Sequence, residues 1–189
     1  MNTMESWPAE PPAEVESGLE AEPAREPLRL VTLKHADTFL VSDPSGDVLS
    51  ESEGLFDNDT RILSYFRLSL AGRPPSLLGS AVSRDNVLFT AHLTNRPLPP
   101  IGGPPTPKGV IHIARERLVW ERRLYERMHL TNYTDAPRKV PLTIGFGADF
   151  RDMFEVRGRE RAARGEVLAP VVGDSAVLLR YRGLDGVER

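Results

Sequence analysis

Apolar side chains recur at every second position in several short stretches of this chain, and Gly, Pro, Asn and Asp separate the stretches. Val87, Phe89, Ala91 and Leu93 alternate with Asn86, Thr90 and His92, and Val140, Leu142, Ile144 and Phe146 alternate with Pro141, Thr143 and Gly145. A period of two sends one set to a core and the other outward, as in antiparallel sheets with one wet face. Pro141 cannot donate to a ladder, so that stretch is predicted to be an edge strand or to carry a bulge. Ile62, Phe66, Leu68 and Leu70 share one parity and predict a single half-buried strand, closed by Ala71-Gly72. Leu28 to Leu33 and Thr38 to Ser42 open the series. Asp43-Pro44-Ser45-Gly46 has the Pro and Gly placement of a type I turn, with Asp47-Val48-Leu49 as the predicted return strand. Val167 to Val172 and Ala176 to Tyr181 flank Gly173-Asp174 as two more strands.

Arg115 to Leu130 reads two ways. Leu118, Tyr125 and Met128 could form the stripe of an amphipathic helix. The same residues also fit a strand from Val110 to Trp120, a turn at Glu121-Arg122-Arg123, and a partner strand from Leu124 to Thr131. About ten antiparallel strands must bury their apolar faces on one another, so the predicted class is all-β, a large antiparallel β-sandwich of two packed sheets.

Two segments stand out from this background: Gly54-Leu55-Phe56-Asp57-Asn58-Asp59-Thr60-Arg61-Ile62-Leu63-Ser64 and, far downstream, Ala148-Asp149-Phe150-Arg151-Asp152-Met153-Phe154-Glu155-Val156-Arg157-Gly158. With Lys34 to Asp43 before them and Leu130-Thr131-Asn132-Tyr133 between, they resemble the N-terminal domain of bacterial and archaeal glycogen debranching enzyme (amylo-α-1,6-glucosidase) proteins. The likeness runs from about Leu30 to about Gly165, with Ala36, Asn58 and Gly147 where that family carries Gly or Asp. The resemblance implies a supersandwich-like β-domain that precedes a helical-barrel catalytic domain, and it makes the same strand reading of 115–130 the favoured one. It assigns no catalytic residue here, because the catalytic acids of that family lie in the barrel. On this reading 28–189 is a non-catalytic domain that supports or docks the barrel, with α-glucan as a candidate ligand of the whole. The alternative is a stand-alone glycan-binding or protein-interaction module, using Trp120, Tyr125, Tyr133 or Tyr65 as sugar platforms.

Composition narrows the remaining classes. At 189 residues the chain suits one domain with a sizeable core. Residues 1–27 combine five prolines and seven glutamates with the single Arg25, a mix predicted to form a disordered leader. The rest is mildly basic, and its one basic cluster, Arg157, Arg159, Arg161 and Arg164 interrupted by Glu160, reads as a solvated loop, which is no footprint for nucleic acid. No apolar stretch is long enough for a membrane helix, and no basic-then-apolar start marks a secretory signal. With no cysteine in the chain, the expected setting is cytoplasmic. Gly183 to Arg189 reads as a hairpin turn entering another strand, so a C-terminal truncation is expected.

For chemistry, Asp149, Asp152 and Glu155 are the local carboxylates. Glycoside hydrolysis sets two carboxyls about 5–5.5 Å or about 6.5–9.5 Å apart. In an extended segment Asp149 and Glu155 would stand roughly 20 Å apart, whereas a helical turn would bring i,i+3 neighbours together. Arg151 and Arg157 interleave with them, which favours structural ion pairs over catalysis. Phe150, Met153 and Phe154 inside this charged run suggest an interface with a neighbouring domain. Asp57, Asp59 and Arg61 form a second polar knot suited to an arginine–carboxylate tie. His35, His92, His112 and His129 show no metal-ligand spacing, and neither a metal nor a cofactor is implied.

Overall fold

The computed structural model describes residues 29–189; the predicted leader 1–27 lies outside the described residues. All pairing is antiparallel. The first sheet runs β1 (Val31–His35), β2 (Thr38–Ser42), β3 (Gly54–Asp57) and β4 (Thr60–Leu63) in spatial order. β5 (Tyr65–Leu70) leaves it to pair with β10 (Leu142–Gly147). The second four-stranded sheet orders β6 (Ser76–Val82), β7 (Leu88–Thr94), β8 (Ile111–Trp120) and β9 (Arg123–Asn132) as a meander. One helical turn, α1 (Met153–Val156), precedes the hairpin β11 (Glu166–Val172) and β12 (Val177–Arg182).

Two core clusters glue the layers. Leu33, Leu40, Val48 and Leu55 meet Phe89, Ala91 and Val119, while Leu68 and Leu70 meet Leu93, Leu98 and Ile113. The β1–β4 sheet and the β5–β10 pair therefore share one layer facing β6–β9, the sandwich the alternation predicts. The β11–β12 hairpin supplies no residue to either cluster. Among the described residues no helix is long and apolar enough to cross a membrane.

The segment 115–130 is strand, not helix: Ile113, Arg115, Arg117 and Val119 of β8 face inward opposite Leu130, Met128, Glu126 and Leu124 of β9. Its turn is two residues, Glu121 and Arg122, both with positive φ (47° and 63°), the backbone of a tight hairpin that matches strand twist.

Three expectations are corrected. The stretch Ile62–Leu70 is two strands, because Ser64 donates its N–H to Gly147 and the chain changes partner there from β3 to β10. Asp47-Val48-Leu49 forms only a bridge, Val48 to Phe66. Leu142, Ile144 and Phe146 are not core: they are 38%, 41% and 43% exposed. They lie opposite Leu70, Leu68 and Phe66 on the same face, but β10 is the outer strand of its pair and the second layer covers β5 more fully. The turn predicted at 183–189 is present, with Gly186 N–H donating to Gly183 and residue 189 pairing back to Tyr181.

Candidate functional site

The two distinctive segments, 54–64 and 148–158, meet in space. Arg61 N–H donates to the carbonyl of Arg151 at 2.7 Å, Thr60 bridges Asp152, and Met153 N–H donates to the carbonyl of Asp59 at 2.9 Å. Residues 151–153 thus run beside β4 as a short irregular strand before turning into α1.

Arg61 holds the junction. It is 2% exposed, and its guanidinium forks onto Asp149, Nε to Oδ1 at 3.1 Å and Nη2 to Oδ2 at 2.5 Å. Its Nη1 donates to the carbonyls of Glu51 (2.5 Å) and Glu53 (3.1 Å). The planar fork satisfies both carboxylate oxygens at once, which a lysine could not do. Gly54 makes the seat: a Cβ there would lie 2.5 Å from Cδ of Arg61. Burial pushes the Asp149 carboxyl up, but the bonds from Arg61 and Arg151 N–H outweigh it and hold it below its ordinary value.

A second tie joins the layers. The β3–β4 turn is Asn58-Asp59, both left-handed (φ 45° and 63°), and the β8–β9 turn presents Arg122 to Asp57 just before it. Arg122 donates Nε and Nη2 to Asp57 Oδ2 at 3.0 and 2.6 Å, while Thr38 Oγ1 donates to Oδ1 at 2.7 Å. Again burial raises the carboxyl and these donors more than offset it. Ala36 and Asn58, two of the departures from the resembled family, are left-handed, where a glycine would be unstrained.

Asp152 and Glu155 form a capping box. Asp152 Oδ1 accepts from Phe154 and Glu155 N–H, and Glu155 Oε2 accepts from Asp152 N–H at 3.0 Å. Arg161 pairs with Asp152, and Arg164 Nε reaches Glu155 Oε1 at 2.9 Å. Only Met153–Val156 is the helical turn; up to the cap at Asp152 the segment stays non-helical. Asp149 turns away to Arg61 while the other two carboxylates serve the cap. Arg157 is exposed and closes α1 through its backbone N–H, donated to Met153. Phe154 is 55% exposed, with Arg159 above its ring at 6.0 Å.

Phe150 has φ 53°, a conformation disfavoured for a bulky side chain. Its ring stacks on Tyr181 of β12 at 5.6 Å, and Tyr181 Oη accepts from Gly165 N–H at 2.7 Å. Both aromatics line a cleft of about 880 Å³ whose walls include Asp57, Asp152, Glu155 and Arg122. Glycosidic general acids need a carboxyl raised toward neutrality. Here Asp57 and Asp149 are held low, and Asp152 and Glu155 are occupied by arginines and backbone donors, so the arrangement suits recognition and rigidity rather than proton transfer.

Sequence reasoning missed Thr38, Arg122 and Tyr181, which reach this site only through tertiary pairing. It also missed a buried ionic cluster between the layers. Arg115, fully buried, donates to Asp47 (2.7 Å), Glu126 (2.8 Å) and two carbonyls. Arg117 donates Nε to Glu126 at 2.8 Å and stacks 4.7 Å over Phe66, leaving both Nη atoms without partners among the described residues. Burial and the neighbouring Arg115 push Arg117 down to about 10, with Glu126 opposing. The signal was present in the alternation, since Arg115 and Arg117 share the parity of Ile111, Ile113 and Val119.

Trp120 and Tyr125 are each about half exposed on the outer face of the second sheet, but Tyr133 stands at the far end of it, about 30 Å away at strand spacing. They form no common platform.

The family model described as the N-terminal domain of (some) glycogen debranching enzymes matches residues 33–189. No curated protein matches the chain.

Proposed function

The chain belongs to the family of N-terminal domains of glycogen debranching enzymes, and from that membership we propose that it is a non-catalytic unit that docks and supports a helical-barrel catalytic domain with glycosidase activity. The observation that carries this reading is the construction of 149–157. Arg61 and the capping box fix the segment in place, and it offers Phe154, more than half exposed, beside charged neighbours. An apolar side chain on a rigid, polar-rimmed support is the composition of an interface centre. The absence of cysteine suits a cytoplasmic setting.

The test is binding of this chain to a separately produced helical-barrel domain, followed by calorimetry. Phe154→Asp is expected to weaken binding at least tenfold with an unchanged far-ultraviolet circular dichroism spectrum. Equal affinity in the variant would move the interface elsewhere. The chain alone is expected to release no sugar from branched glucan above a heat-denatured control.

A second reading, an α-glucan subsite, is supported by the cleft beside Phe150. Four arginines and four carboxylates line it, a balance that favours a neutral polyhydroxyl ligand over an anion, and Phe150 and Tyr181 offer apolar faces to sugar C–H groups. Phe150→Gly keeps the left-handed backbone unstrained while removing the ring. Maltooligosaccharide binding that survives this change, measured by calorimetry, would dismiss the cleft. Loss on Trp120→Ala instead would favour the outer sheet.

A further inference from the structure

Of the chain's four histidines, three share the outer face of the β6–β9 sheet. His92 of β7 is opposite Ala114 of β8, which is opposite His129 of β9, and His112 lies two residues before Ala114 on β8. Small Ala114 leaves room for rings to lean over it. His92 Nδ1 and His112 Nε2 stand 3.1 Å apart, with the rings nearly parallel at 16° and their centroids at 5.2 Å. The fourth, His35, is packed against Trp120 at 4.1 Å.

Two imidazoles joined by a shared proton need one ring to donate and the other to accept. The same two nitrogens are also placed for a metal. With zinc–nitrogen bonds of about 2.0–2.1 Å and tetrahedral angles, two ligating nitrogens lie about 3.3–3.4 Å apart. The observed spacing is reached from that value by a movement of a few tenths of an ångström in the exposed ring of His92 and the half-buried ring of His112. The rigid β7–β8 ladder holds the two Cβ atoms in place, so little ordering is needed on binding.

We propose that His92 and His112 form a two-histidine surface site for a divalent transition-metal ion such as zinc, with water completing the coordination. Imidazole donors suit zinc, copper and nickel, and select against magnesium and calcium, which prefer oxygen. Among the described residues no group of three or more His, Cys, Asp or Glu is arranged to hold an ion, so His129 lies outside the ligand set. The site is on the sheet face and independent of the Arg61 junction and the cleft.

The experiment is titration of the intact chain with zinc chloride by calorimetry, with magnesium chloride as the comparison. One saturating site is expected for zinc and no saturable heat for magnesium. His92→Ala and His112→Ala should each weaken zinc binding at least tenfold, while His129→Ala leaves it within twofold; circular dichroism verifies that all three remain folded. Retained affinity in either His92→Ala or His112→Ala would overturn the assignment. So would an absence of saturable zinc binding by the unmodified chain, which would leave the pair as an imidazole–imidazole hydrogen bond.

Discussion

Asp149→Asn is the sharpest test of the junction between the two distinctive segments. The substitution keeps an oxygen for Arg61 Nε and for the N–H of Arg151, both now bonded to Oδ1. It also turns an amide NH₂ onto Arg61 Nη2, setting donor against donor where a 2.5 Å bond existed. Arg61 is 2% exposed and, among the described residues, has no other carboxylate within 3.5 Å, since Glu51 stands 3.9 Å away with its side chain in solvent. Removing one partner of a buried ion pair costs about 3–5 kcal/mol because the other charge is left uncompensated. Asp149 is 27% open to water, so the low end applies, about 3 kcal/mol. For a domain of this size that is a fall in Tm of about 6–12 °C at about 2–4 °C per kcal/mol. Urea unfolding followed by circular dichroism measures the free energy directly.

A pH arm checks the cause. Because the folded Asp149 carboxyl is held below its ordinary value, its stabilisation is complete above the unfolded value of about 3.9 and disappears as pH falls through the folded one. The unmodified chain should therefore lose stability more steeply below pH ~4 than Asp149→Asn. Combining Asp149→Asn with Arg61→Met should cost less than the sum of the two. A cost under about 1 kcal/mol for Asp149→Asn, the range of exposed ion pairs, or strict additivity in the double variant, would refute the junction as a structural unit.

Other substitutions probe its surroundings. Gly54→Ala places a methyl group 2.5 Å from Arg61 Cδ and 2.9 Å from the carbonyl of Leu63; we expect a loss above about 3 kcal/mol or an insoluble product, read by soluble yield and urea midpoint. Arg117→Met removes two nitrogens with no partner among the described residues but also one of the two arginines on Glu126, which Arg115 still holds at 2.8 Å, so urea unfolding should show a loss below about 3–5 kcal/mol, the cost of a buried charge left wholly unpaired. Asp47→Asn keeps an Oδ1 for Leu68 N–H and Arg115, so its cost at pH 7 should stay under about 1 kcal/mol. Burial raises the Asp47 carboxyl despite Arg115, so in the unmodified chain this group's contribution weakens as pH climbs from about 3.9 through the raised value. Asp47→Asn should flatten that decline.

The alternation made β2 and β7 legible because each has one face against the opposing layer, and period-two burial leaves a period-two sequence; β8 and β9 fitted a helix as well, because Arg115, Arg117 and Glu126 stand at inward positions, and the family resemblance decided for strands. Alternation misled at β10 for a related reason: it reports which side chains share a face, not whether anything covers that face. Ser64 hid the break between β4 and β5, since Ile62, Phe66, Leu68 and Leu70 keep one parity through the change of partner. The carboxylates and arginines of the junction could be named from the two segments, but their contacts could not. Arg61 and Asp149 are 88 residues apart, and Arg122 reaches Asp57 across 65. Such distances are closed by the order of strands in the sheets, which local patterning does not encode.

The residues that make this chain recognisable are thus the ones that join its parts. Asp57 ties two hairpin tips, Arg61 and Asp149 tie β4 to the segment after β10, and Asp152 and Glu155 start α1. Each uses a charged group whose partner is specific in geometry, and an apolar contact of equal area would tolerate sliding by a residue. An arginine fork does not, because a shift of one position breaks both bonds and leaves a buried charge unpaired. The ionic junction therefore fixes where 149–157 sits relative to β3 and β4. A segment so fixed presents Phe150 and Phe154 at set positions. In this signature, dense in aspartate, glutamate and arginine, the charged groups make their bonds with one another and with backbone, so stability and binding are the measurements that test the proposed docking role.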